Sequence, residues 1–278
     1  MDPGPADRLR VDLDVAADGR HARFVVAPSP RPDGAMYGGA GIAAAVMAIE
    51  AAADRPVLWA TTQFVKAPTS GQTVHLEVVV LADGGRTAQL SVTATADGEV
   101  AFITLGSAGL ARPSGLHGQY AAMPCVSDTD RGPWAGNSPW GDRSPVHYTE
   151  AELLGDHTFG HVALWAGRRD GAPFTAAALA YVADMVPVAV ARAAGRLGAG
   201  ASLDNSLRFG DIGAHDRVLL ELAGDFAHGG YGHGSLRVWA PDGTLLATGG
   251  QTTNMKYLFD QADLPDLMER FSASQTAR

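Results

Sequence analysis

One acid stands where acids are rarely tolerated. Asp184 interrupts the apolar stretch 174–194, where most neighbours are Ala, Val, Leu, Tyr or Met. A carboxylate withdrawn from water has to be hydrogen-bonded or paired, so its place inside such a stretch calls for partners. A carboxylate held in that way is suited to general-base chemistry, orienting a water and taking its proton. An exposed edge of the same helix would explain the residue without any chemistry. Ser202 and Gln251 fall near strand ends, where a hydroxyl or an amide mostly satisfies backbone groups. Asp204 lies two residues past Ser202, on the same strand face by period-two alternation, and rivals Asp184 as a base. Gly38 and Gly39 open an Ala-rich stretch. The N–H groups of a helix start could stabilise a developing oxyanion, and a plain turn would use the same glycines.

Other motifs carry less. Gly39-Ala40-Gly41-Ile42-Ala43-Ala44 fits a dinucleotide fingerprint, but the residues before it, Ser29-Pro30-Arg31-Pro32-Asp33-Gly34, read as loop rather than buried strand. The chain has no Gly-x-Ser-x-Gly elbow, which argues against a serine nucleophile. Asp156, His157 and His161, or His228 and His233, lack both helical spacing and a cysteine cluster, so no metal site is expected. Arg86, Arg208 and Arg237 are candidates for contacting phosphates, with solvated arginine as the ordinary alternative.

These residues sit on a plan that occurs twice. In the first half a hairpin over 9–15 and 22–27 precedes an apolar helix over 38–53, and strands follow over 57–65, 74–81, 87–95 and 100–110. In the second half a strand over 160–168 precedes the helix over 174–194, and strands follow over 201–209, 218–225, 235–240 and 245–252. Turn signals such as Asp83-Gly84-Gly85, Asp97-Gly98 and Pro241-Asp242-Gly243 separate the strands. Helices apolar nearly all the way round must be enclosed, so each half reads as an antiparallel sheet wrapped around its helix, an α+β fold. The expected divisions are a first domain over 1–112, a linker over 113–145 and a second domain over 146–278. Trp134 and Trp140 are expected to pin the linker to one domain.

Composition narrows the function classes. The 278 residues carry a net charge of −9, which argues against a general nucleic-acid binder. The one cysteine, Cys125, cannot form an internal disulfide and fits a reducing, cytoplasmic setting. No basic segment followed by an apolar core opens the chain, and charges interrupt both long apolar stretches. Neither a secretory signal nor a membrane span is therefore expected.

The words around these elements resemble the acyl-CoA thioesterase II family, the TesB-like double-hotdog enzymes. The likeness rests on Met36-Tyr37-Gly38-Gly39, Phe64-Val65-Lys66-Ala67-Pro68 and Asp83-Gly84-Gly85-Arg86 in the first half. In the second half it rests on Tyr181-Val182-Ala183-Asp184, Ala201-Ser202-Leu203-Asp204-Asn205-Ser206 and Gly249-Gly250-Gln251. The resemblance implies a tandem hotdog that hydrolyses an acyl-CoA without a cofactor, using Asp184, Ser202 and Gln251. It implies Gly38, Gly39 and Asp204 beside the substrate, and a homodimer or higher homo-oligomer. Two departures stand out: Ser202 occupies a position usually held by Thr, and the usual Asp-His-Ser reads Asp204-Asn205-Ser206. The glycine-rich stretch 228–234 reads as a loop bearing on substrate choice. A hotdog enoyl-CoA hydratase would pair its Asp with a nearby His, and Met185-Val186-Pro187-Val188 supplies none. An acyl-thioester binding protein without catalysis is the third reading, favoured if Ser202 or Gln251 points away from Asp184.

Overall fold

The structure, a computed structural model, describes residues 9–29, 34–133, 144–158 and 160–260. The tryptophan expectation falls on Trp134 and Trp140, which lie outside the described residues. In the first half the elements are β1 (Asp14–Val15), β2 (His21–Val25), α1 (Gly38–Ala53), β3 (Val57–Phe64), β4 (Thr73–Asp83), β5 (Thr87–Ala96) and β6 (Glu99–Gly109). There follow β7 (Val126–Pro133), β8 (Val146–Leu153), β9 (His161–Arg168), α2 (Ala176–Val182), α3 (Val186–Ala193), β10 (Leu197–Ser202), β11 (Asp204–Phe209), β12 (Arg217–His228), β13 (Tyr231–Trp239) and β14 (Leu245–Phe259).

The strands form one antiparallel sheet in the order β1-β2-β4-β5-β6-β3-β11-β14-β13-β12-β9-β8-β7, with β10 also paired to β14. Its symmetry records the duplication. The run β2-β4-β5-β6-β3 has the same connectivity as β9-β12-β13-β14-β11, and the two runs meet where β3 pairs antiparallel with β11. The sheet therefore curls around two helices at once. α1 buries Ile42, Val46 and Ile49 against β3, β4, β5 and β6, and packs its other side on α2. Its lack of a polar face follows from being covered on both sides. Glu50 is the exception: half-buried, it accepts a hydrogen bond from Val57 N at 3.0 Å.

Four departures from the sequence reading bear on the site. The helix expected over 174–194 is two helices, separated at residues 183–185. Together they span Ala176–Ala193, long and apolar enough to cross a membrane by length and composition, but 83% of that stretch is buried inside the protein. The strand expected over 201–209 begins earlier and divides at Leu203 into β10 and β11.

The stretch 228–234 is a hairpin turn followed by the start of β13, because Gly232 and Gly234 face α3. A Cβ on Gly232 would stand 2.5 Å from Val190 Cγ1, and one on Gly234 would stand 2.8 Å from Val186 Cγ1. Only glycine lets α3 lie that close to the strand. Finally, part of the stretch read as linker forms β7, and residues nearer its start lie on the second half of the sheet. Gln119 bonds Gly243 O at 3.0 Å and Leu245 N at 2.6 Å, and Ala121 and Met123 cover Trp239 and Leu219.

Candidate active site

The break between α2 and α3 follows from Pro187. Proline has no N–H to give the carbonyl four residues earlier, and its ring crowds that carbonyl. The residue affected is Ala183, and the chain leaves the helical path just beyond it: Met185, which caps α3, has φ −120° and ψ 0°. Val188 N turns back to Met185 O at 3.1 Å instead of reaching Asp184 O. Two carbonyls are thereby released, and two side chains take them. Asn205 Nδ2 donates to Ala183 O at 3.2 Å, and the Tyr37 hydroxyl donates to Asp184 O at 3.3 Å. Asp184 is thus fixed at a discontinuity inside the core, 7% exposed.

Among the described residues, three give donors to its carboxylate. Ser202 Oγ donates to Oδ1 at 2.7 Å, Gln251 Nε2 donates to the same oxygen, and Gly39 N donates to Oδ2 at 3.0 Å. Gln251 Nε2 also lies 2.8 Å from Ser202 Oγ, closing a three-membered network. The sheet explains why two residues 49 positions apart meet. β10 pairs with β14 so that Ser202 faces Thr253, and Gln251 is the next inward-pointing residue on β14. Diagonal neighbours on one sheet face are within reach of a long side chain. Gln251 Oε1 is buried with no hydrogen-bond partner among the described residues.

The fourth participant comes from the other half of the chain. A Cβ on Gly38 would be 2.6 Å from Asp184 Oδ2, and one on Gly39 would be 2.2 Å from Tyr181 O and 2.4 Å from Tyr37 Cε1. The two glycines let the start of α1 sit directly on the carboxylate. There the Gly39 N–H and the positive end of the helix stabilise the negative charge. In this structure that N–H, expected to serve an oxyanion, is given to Asp184.

Tyr37, Tyr148 and Tyr181 surround the break, with the Tyr37 and Tyr181 rings 5.0 Å apart. Burial pushes all three phenols above their ordinary range, and the Asp184 charge adds to the effect. They stay protonated, and Tyr37 is the described donor among them. A small cavity of about 30 Å³ opens beside Tyr37 and Tyr181, lined by Leu9, Phe24, Val26 and Met36 and by the polar Arg10 and Ser29.

Asp204 is not brought to this network among the described contacts. Its Oδ1 accepts the Thr252 N–H at 2.6 Å, where Leu203 N donates to Thr252 O across the interruption between β10 and β11. It therefore holds the sheet together next to Ser202. The candidate phosphate-binding arginines have partners within the chain. Arg86 reaches Ala111 O at 3.4 Å, Arg208 lies over the Trp59 ring and bonds Ser206 Oγ, and Arg237 approaches Glu221 at 3.5 Å. Three of the four histidines considered for a metal are likewise engaged: His161 with Glu221, His233 with Thr252 Oγ1 and His157 with Gly155 O. Asn205 and Tyr37 were missed as site residues. Pro187 was the available signal, since a proline inside an apolar helical stretch predicts released carbonyls that something must satisfy.

A curled antiparallel sheet around paired helices, doubled in one chain, is a double hotdog. Solved structures share it over their full length. A protein with the hot dog fold from Alicyclobacillus acidocaldarius is 20% identical with a TM-score of 0.68, covering 87% of this chain and 96% of that one. An acyl-CoA thioesterase II from Mycobacterium marinum is 20% identical with a TM-score of 0.70, covering 89% and 95%. A candidate thioesterase from Novosphingobium aromaticivorans is 32% identical with a TM-score of 0.77, covering 88% of this chain and 98% of that one. The sequence model of the acyl-CoA thioesterase N-terminal domain matches residues 25–109, and that of the acyl-CoA thioesterase C-terminal domain matches residues 118–255. No curated protein matches the chain in sequence. The chain belongs to the acyl-CoA thioesterase family, and as a member of it is a thioesterase.

Proposed function

We propose that the protein hydrolyses acyl-CoA esters to free acid and coenzyme A at one site per chain, with Asp184 as general base, Ser202 and Gln251 as its partners, and no cofactor. The observation that carries this reading is the buried Asp184 carboxylate, held by Ser202, Gln251 and the Gly39 N–H. The attacking water gives one proton to Asp184 and is oriented by the unpartnered Gln251 Oε1, an acceptor facing the same network. The water oxygen adds to the thioester carbonyl, and the tetrahedral intermediate collapses with loss of the coenzyme A thiolate. The proton held by Asp184 returns to the leaving sulfur. The positive end of α1 is the nearest source of stabilisation for the oxyanion. Gly38 and Gly39 serve by allowing the approach, and Asp204 by keeping Ser202 in register.

The cavity beside Tyr37 and Tyr181 is lined by Leu9, Phe24, Val26 and Met36 together with Arg10 and Ser29, and its apolar residues suit the acyl group. Ser202 and Gln251 both point at Asp184, which favours catalysis over binding alone. Among the described residues, those that hold the Asp184 carboxylate are Ser202, Gln251 and Gly39 rather than a histidine, which favours hydrolysis over hydration of an enoyl ester. We place the protein in the cytoplasm, with domains over 1–112 and 146–278 joined through 113–145. A homodimer or higher oligomer is supported by Val79, Leu81, Ile103 and Leu105, exposed on the outer side of β4 and β6. Thiol release from acyl-CoA esters of increasing chain length tests the activity. Steady turnover abolished by Asp184→Asn is the expected result, and binding without turnover by a folded enzyme would overturn the reading.

A further inference from the structure

We infer that Asn205 is a positioning residue for Asp184, acting through the carbonyl of Ala183; the inference rests on the proposed role of Asp184 as base. Because Pro187 has no N–H, Ala183 O loses the partner that an unbroken helix would give it. Ala183 is 0% exposed, so no solvent replaces that partner. Asn205, also 0% exposed, supplies its Nδ2 at 3.2 Å from β11, an element of the sheet rather than of the helices.

Ala183 immediately precedes Asp184, and its carbonyl lies in the peptide plane that joins the two. Anchoring that carbonyl sets the direction in which the Asp184 side chain leaves the backbone. The next carbonyl, Asp184 O, is held by Tyr37 from the first half of the chain. The two peptide units around the proposed base are therefore fixed from opposite sides.

The other end of the same amide points to a role inside the site. Among the described residues, Asn205 Oδ1 is buried without a hydrogen-bond partner, as is Gln251 Oε1. Ser206 pairs with Gly250, Asn205 and Gln251 are the next residues on these two antiparallel strands, and both are 0% exposed. Turning the amide over would bring Oδ1 against Ala183 O, acceptor against acceptor, so the anchor determines which end is left toward the Gln251 row. A leucine of similar size would fill the space and leave Ala183 O unpaired.

Misplacement of a reacting group by about 1 Å costs on the order of 10²-fold in rate. Asn205→Ala is therefore expected to lower kcat by roughly 10- to 100-fold with KM changed by less than about threefold, because the lost geometry concerns the base and not the substrate. Asn205→Asp keeps the volume and removes the donor, and at neutral pH it should show the same pattern. It supplies the measurement if the alanine variant does not fold. A residue that only supports the fold would lower the amount of active enzyme without this split.

The route through Ala183 is tested by a cycle with Pro187→Ala, which restores an N–H able to reach that carbonyl. In the Pro187→Ala background the loss on removing Asn205 should shrink by at least about threefold, as expected for residues sharing one partner. Full additivity, a kcat within about twofold of wild type, or a loss confined to KM would each overturn the inference. Wild-type turnover and its loss in Asp184→Asn are measured in the same preparations. If those fail, the thioesterase reading falls; if they hold while Asn205 proves indifferent, only this inference falls.

Discussion

Replacing Asp184 by asparagine should damage activity and stability for separable reasons. The carboxylate accepts Ser202 and Gln251 on Oδ1 and Gly39 N on Oδ2. An asparagine offers one acceptor and one donor end. If its oxygen faces Ser202 and Gln251, its NH₂ meets the Gly39 N–H. If it turns over, its NH₂ meets Gln251 Nε2. Either orientation leaves one donor facing a donor in a buried site, which costs about 1–3 kcal/mol. For a chain of this size that lowers Tm by a few degrees.

The chemical loss is larger and independent of that cost. Removing a general base slows the reaction by about 10²–10⁴-fold, or roughly 3–5 kcal/mol of barrier at 1.36 kcal/mol per decade. Asp204→Asn is the matched control, since its one described role, accepting Thr252 N, is kept by an amide oxygen. The assay is continuous thiol release on both variants, with thermal unfolding in parallel. The expected pattern is kcat and kcat/KM falling together in Asp184→Asn and little change in Asp204→Asn. Near-normal turnover in Asp184→Asn, with loss in a folded Asp204→Asn, would refute the assignment of the base.

Gly39→Ala should cost more activity than a helix-start alanine normally would, because its Cβ would lie 2.2 Å from Tyr181 O; unchanged kcat would mean that α1 does not sit on the carboxylate as described. Burial raises the carboxyl of Glu50 above its usual range, so the folded state binds its proton more tightly than the unfolded state and loses stability as pH rises through the raised value. Glu50→Gln, which keeps the acceptor for Val57 N, should raise Tm at pH 7, with the gain vanishing below the usual carboxylate range; a gain independent of pH would contradict this. Met36→Ala enlarges the cavity beside Tyr37 and should move the preferred acyl chain to greater length, measured as kcat/KM across a chain-length series. Sedimentation at micromolar concentration should show a homo-oligomer, and a persistent 28.8 kDa monomer would exclude one.

The fold was legible because its two signals are local and repeated. Alternation such as Val74-His75-Leu76-Glu77-Val78 marks half-buried strands, and the charge-poor stretches 38–53 and 174–194 mark enclosed helices. What escaped depends on contacts distant in sequence. Val126–Pro133, rich in turn-forming residues, became β7 by pairing with β8. Gly232 and Gly234 looked like loop until α3 was seen to lie against them. Ser202 and Gln251 carried no signal by residue type, and pairing of β10 with β14 is what joins them. Pro187 was readable as a helix breaker; that Asn205 and Tyr37 answer the carbonyls it releases was not, since they come from β11 and from the first half of the chain.

The duplication supplies two equivalent helices, while the proposed site uses the acid of one of them. Both ingredients are missing from the opposite arrangement. The stretch of α1 matching Asp184, near Ala44–Met47, has no acid, and Ala44, Ala45 and Val46 are fully buried apolar residues. The start of α2, which matches Gly38-Gly39, is closed from its own side: Thr175 Oγ1 accepts the Ala178 N–H at 3.2 Å. A helix start capped by its own threonine has one fewer donor to offer a carboxylate or an oxyanion. The first half thus has the open, glycine-lined helix start and no acid at the matching stretch, while the second has the acid and a capped helix start. Each half retains what the other lacks, so neither alone could assemble the network around Asp184, and the pairing of β3 with β11 that holds the halves together is as necessary to the site as the acid itself.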